Sequence, residues 1–271
     1  MSNPVFERMK DDRGYATFGP SGATKTGSTT ASVPPAYSTP SADELQTMYS
    51  SPAATTVDTG RMTYDDVVVK TAIVFVAVLV GAAVGWQAPV LMWPGLIGGL
   101  VLGLVNSFKK SPSPALIIAY GLFEGAFLGG ISMYFNEAYP GIVGQAVLAT
   151  LGVFAVVLVG FRSGKLRTSP KLNKIFFVAI GGYIVFGLVN LMFSAFGGGS
   201  DLRSGGLGLA IGAFAVILAS YSLVMDFEFI RAGVEQGAPA KFAWYGAFGL
   251  IVTLVWLYIE ILRILAILRG D

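Results

Sequence analysis

Residues 243–268 read AWYGAFGLIVTLVWLYIEILRILAIL, an apolar run interrupted by only two charged residues, Glu260 and Arg263. Roughly 20 apolar residues cross a bilayer as a helix, so this stretch reads as a membrane span. Working back toward the amino terminus, six more such runs appear, at about 67–86, 89–107, 114–135, 142–161, 174–196 and 205–227. The breaks between them carry turn chemistry, as in Gln87-Ala88-Pro89, Tyr139-Pro140-Gly141 and Gly237 to Pro239. The fold class expected is an all-α integral membrane protein, a seven-transmembrane helix bundle over residues 65–271.

Composition agrees. Hydrophobic residues make up 54% of the chain and charged residues 13%, about half the charge of an ordinary soluble domain. Mean hydropathy is +0.68. Residues 1–60 differ, being rich in Ser, Thr, Pro, Gly and Ala. Such a segment buries too little apolar surface to offset the entropy of ordering, so a disordered cytoplasmic tail is expected. No apolar core precedes Val67, which argues against a secretory signal.

Lysine and arginine in short loops set orientation. Lys109, Lys110, Arg162, Lys165, Arg167, Lys171, Lys174, Arg231 and Lys241 fall in the second, fourth and sixth loops, against Arg203 alone in the others. The amino terminus is therefore expected in the cytoplasm. Glycines supply the packing. Gly121, Gly125 and Gly129 recur every four residues, as do Gly95, Gly99 and Gly103, with Gly81/Gly85 and Gly208/Gly212 as shorter versions. Small residues at that spacing let helix backbones approach closely where water cannot drive association.

The chain has no Cys and no His. That excludes thiolate nucleophiles, zinc held by thiolates or imidazoles, and Ser–His proteolysis. With no nucleophile–base arrangement visible, enzymatic activity is not expected. A net charge of +2 without a compact basic patch argues against nucleic acid.

Chemistry then rests on acids where acids are expensive, at roughly 2.5–3.5 kcal/mol each in a helix centre. Glu124 sits about ten residues into the third span, next to the Gly121/Gly125/Gly129 face. It reads either as a protonated structural acid or as an ion or proton relay. Asp226 and Glu228 close the sixth span and either mark its interfacial end or act within it. Glu260 has Arg263 three residues on as an intrahelical partner. Thr253, seven residues before Glu260, shares its face and draws a polar stripe that suggests a central helix.

The segment Tyr221 to Glu228, together with Trp256-Leu257-Tyr258-Ile259-Glu260-Ile261-Leu262-Arg263-Ile264-Leu265 and the Phe123-Glu124-Gly125 step, resembles the Bax inhibitor-1 family, in particular a bacterial branch with a long polar leader. The resemblance covers roughly residues 65–271. It implies a last helix surrounded by the other six and a pH-sensitive calcium leak in a bacterial plasma membrane. It also implies a gate built from two aspartates, on the sixth and seventh spans, with a basic group near the cytoplasmic end of the second. Asp226 matches the first aspartate. Thr253 holds the place of the second, Glu260 lies two turns further on, and Lys109 is the nearest basic group. Asp226 and Glu260 are thus the expected calcium ligands, with no other cofactor. The expected partners are the lipid bilayer, calcium or another cation, and, for a non-transporting regulator, another membrane protein such as a membrane protease.

Overall fold

The structure, a computed structural model, describes residues 41–43, 46, 60–196 and 203–270. The reading of residues 1–60 as a disordered tail falls almost wholly outside the described residues. The membrane-spanning unit lies within 60–270.

Seven long apolar helices form it: α1 Tyr64–Gln87, α2 Met92–Phe108, α3 Pro114–Ala138, α4 Ile142–Arg162, α5 Pro170–Ala195, α6 Gly205–Glu235 and α7 Ala243–Gly270. A 3-10 turn, Pro89–Leu91, leads into α2, and another, Ala240–Phe242, leads into α7. Each run found in the sequence becomes one helix. The ends move for physical reasons. Thr63 caps α1 and forms a reciprocal capping box with Asp66, so the helix starts in polar residues before the apolar run. At α5 the Ser169 side chain accepts from Leu172 N and Pro170 occupies the first turn, so this helix too starts before its apolar run.

The largest correction concerns α6. It continues eight residues past Phe227, because Phe227 and Ile230 keep an apolar face against the bundle while Arg231 and Glu235 face outward. Asp226 is consequently inside a helix and not at its end.

α7 is the centre. It packs against α6, α1, α4 and α3, and 56% of its most apolar stretch is buried, against 6% for α5. Glycines set the closest contacts. A Cβ on Gly125 would stand 2.2 Å from the Val78 carbonyl oxygen of α1, and one on Gly129 would stand 2.0 Å from that of Ala82. Gly81 and Gly85 of α1 meet Leu122 and Ala126 of α3 in return. Gly95 seats α2 on α3 in the same way.

The 108–114, 162–170 and 235–243 loops share one end of the bundle, here the basic end; the other is the far end. At the basic end the residues before α1 are stitched to the α6–α7 loop. Met62 N donates to Ala238 O at 2.7 Å, and Ala240 N donates to Gly60 O at 2.8 Å. Met62 is buried beneath Gly233. Lys70 adds a 2.9 Å bond to Ala240 O while pairing with Asp66.

Candidate functional site

Asp226 stands on α6 at the seam with α7. Ser222, one turn earlier, shares its face, as Gly249 and Thr253 share a face of α7. Thr253 Oγ1 donates to Asp226 Oδ2 at 2.7 Å. The Ser222 and Thr253 hydroxyls are 3.2 Å apart, and since the Thr253 proton is committed to Asp226, Ser222 is the donor. A short relay runs Ser222 to Thr253 to Asp226. A Cβ at position 249 would stand 2.9 Å from Asp226 Oδ1, so glycine there leaves the slot the carboxylate fills. Thr253 is 3% exposed and Asp226 partly buried. Among the described residues, Thr253 is the side-chain donor to this carboxylate.

Glu260 is two turns beyond Thr253 on α7, about 10 Å along the axis at 1.5 Å per residue. It is 3% exposed and held from several sides. Arg203, on the α5–α6 connection, donates Nη2 to both of its oxygens, at 3.0 and 2.9 Å. The Tyr183 hydroxyl of α5 donates to the same carboxylate, and the Tyr183 ring lies against Trp256. The expected partner Arg263 stands further off, at 3.8 Å. Glu260 therefore joins α5, the α5–α6 connection and α7 near the far end.

Two carboxylates that share a calcium ion must each reach it at about 2.3–2.6 Å. Asp226 contacts Thr253, and Glu260 lies two turns away, so they do not meet. The expected pairing of Asp226 and Glu260 as calcium ligands is not formed in this arrangement. Among the described residues, no three acidic groups gather closely enough to hold a metal ion.

Glu124 occupies a third place. Its Oε2 lies against Gly99 of α2, where an added Cβ would come within 2.2 Å, in the α2–α3 interface and away from the α6–α7 seam. Glu228 belongs to an ionic cluster at the basic end, 3.6 Å from Arg167 and 3.5 Å from Arg231. The Lys109 side chain is exposed. Its carbonyl accepts a hydrogen bond from Tyr245, and among the described residues no ion pair joins it to Asp226.

Sequence reading missed Arg203 and Tyr183 as partners of Glu260, and Gly249 and Ser222 as walls of the Asp226 slot. For Arg203 one signal existed: it was the sole basic residue in loops otherwise free of lysine and arginine.

The family model for Bax inhibitor 1 like proteins matches residues 3–270. The chain belongs to that family. No curated protein matches the chain. As a Bax inhibitor 1 like protein it is a multi-pass membrane protein, and its seven apolar helices contact lipid. In this member the α6–α7 seam pairs an aspartate with a threonine.

Proposed function

We propose that this Bax inhibitor 1 like protein is a cation leak, with calcium as the favoured ion, captured here with its gate closed at the α6–α7 seam. The observation that carries the reading is the Asp226 slot: a carboxylate between two central helices, held by Thr253 at 2.7 Å with Ser222 behind it. An acid in that position is costly unless it faces protein or water. The slot offers one carboxylate and two hydroxyls, fewer than the six to eight oxygens calcium prefers. Weak coordination suits passage, since an ion that binds tightly does not leave. Opening then consists of parting Asp226 from Thr253, so that the freed carboxylate faces the path. Glu228 stands near the basic end, where its ion pairs with Arg167 and Arg231 tie α6 to the α4–α5 loop.

With threonine in place of a second acid, the seam needs no shared proton to close, and pH sensitivity rests on Asp226 alone. The same reading places the protein in a bacterial plasma membrane, supported by the resemblance to the bacterial branch. The nine Lys and Arg residues counted for the second, fourth and sixth loops support a cytoplasmic amino terminus. It is read as a transport protein and not an enzyme.

The test is calcium entry into liposomes that contain the pure full-length chain. Entry above that of empty liposomes, reduced or abolished in Asp226→Asn, supports the leak. Entry equal to empty liposomes from about pH 6 to 8 refutes it. A second reading, a non-transporting regulator of another membrane protein, is favoured by the neutralisation of Glu260 by Arg203, which makes that acid structural. Under it, deletion of residues 1–60 removes copurifying membrane proteins.

A further inference from the structure

α1 and α4 both pack on α7 but scarcely touch each other. Between them lies a cleft of about 370 Å³. Its walls are Leu79 and Ala83 of α1 and Val147 and Leu151 of α4; its floor is Val255 and Tyr258 of α7. The walls are exposed at the surface of the bundle. In a membrane-spanning helix that surface faces lipid, so the cleft is continuous with the lipid contact of the whole domain.

Its interior is almost wholly apolar. The Tyr258 and Ser132 hydroxyls pair with each other at 2.6 Å, and Thr150 donates to Ala146 O at 2.8 Å. Apolar cavities of even roughly 150 Å³ stay dry and accept a hydrocarbon ligand, and this one is more than twice that size. Its length also fits. Along α1 it runs from Trp86 to Phe75, eleven residues or about 16 Å at 1.5 Å per residue. That is half of the roughly 30 Å hydrocarbon core of a bilayer, the depth of one leaflet. Trp86 stands at the far-end rim, in the last turn of α1, where an amphipathic indole favours the headgroup boundary.

We propose that this cleft is a binding site for one acyl chain of a bilayer phospholipid, inserted from the far-end leaflet with its headgroup beside Trp86. The chain fills the gap between α1 and α4 and packs against α7 on the side away from the Asp226 slot. The lipid then supports the central helix in the gap that α1 and α4 leave open beside it. This site is independent of the leak reading and stands or falls by itself.

The experiment uses the full chain reconstituted in vesicles of dioleoyl phosphatidylcholine and dioleoyl phosphatidylglycerol in equal parts, then extracted and examined by native mass spectrometry. The expected result is one phospholipid per chain that survives activation sufficient to strip the rest. Ala83→Phe with Val147→Phe fills the cleft and loses this lipid. Val76→Phe with Leu148→Phe, of the same bulk on the same helices but outside the cleft, keeps it. Retention by the filled variant, absence of any retained lipid on the wild type, or a bound mass equal to a free fatty acid overturns the proposal. Should the filled variant not fold, a phospholipid with a photoreactive acyl chain decides on the wild type. Labelling confined to peptides spanning 75–86, 128–132, 143–151 and 251–258 supports the site, and even labelling of all lipid-facing helices, α5 included, refutes it.

Discussion

Arg203→Met tests the account of Glu260 most severely. The substitution keeps an unbranched apolar stem and removes the guanidinium that donates to both carboxylate oxygens, at 3.0 and 2.9 Å. The pair is well enclosed, with side-chain exposures of 11% for Arg203 and 3% for Glu260. Breaking a buried pair from one side costs about 3–5 kcal/mol, because the other charge stays buried. Here the lower end applies. The Tyr183 hydroxyl still donates to the carboxylate, and Arg263 remains 3.8 Å away. About 3 kcal/mol, at about 2–4 °C per kcal/mol for a domain of this size, lowers the unfolding temperature by roughly 6–12 °C. The assay is thermal unfolding in detergent of wild type, Arg203→Met, Glu260→Gln and the double variant. The double variant should lose less than the two single losses added together, giving a coupling of about 1–3 kcal/mol. Single losses that simply add, or an Arg203→Met protein that unfolds with the wild type, would refute the clamp.

Two further outcomes follow from the packing and the seam. Gly129→Ala drives a methyl to 2.0 Å from the Ala82 carbonyl oxygen and should cost at least the about 1–3 kcal/mol of overpacking. Gly144→Ala meets nothing within 4 Å and should be neutral or gain up to about 1 kcal/mol of helix propensity. Thermal unfolding of the two variants side by side checks the contrast. Thr253→Asp sets a second carboxyl against Asp226, and two carboxylates at hydrogen-bond distance cannot both ionise. The folded variant then holds a proton that the unfolded chain has released. Its stability is present at low pH and lost as pH rises, more steeply than for wild type in unfolding scans between about pH 5 and 8. A pH profile identical to wild type would show that the two positions do not face each other.

The seven helices were legible because lipid imposes a length and an apolar composition that few other folds share. The glycine faces were legible too, since a four-residue repeat has one dominant use in such helices, and Gly125 and Gly129 lie directly on the α1 backbone. The end of α6 was not. Hydropathy falls at Asp226 and Glu228, yet the helical period persists through Phe227 and Ile230, and period decides where backbone hydrogen bonds continue. The partner of Glu260 was hidden for another reason. Arg203 is 57 residues away in the chain, and the nearer Arg263 satisfies the local rule while lying further off in space. The Asp226–Thr253 contact joins two helices through a loop whose geometry no local pattern encodes, and resemblance alone put the two positions opposite each other.

The central claim is that parting α6 from α7 at Asp226 opens the path. The chain lacks cysteine, so a disulfide can be placed cleanly. The Ser222 and Thr253 hydroxyls are 3.2 Å apart, near enough for cysteines there to approach the about 3.5–4.5 Å Cβ separation a disulfide needs. In liposomes holding Ser222→Cys/Thr253→Cys, with the bond verified by mass, calcium entry should fall to the level of empty liposomes on oxidation and return on reduction. Entry that is the same with the bond closed and open would contradict the account.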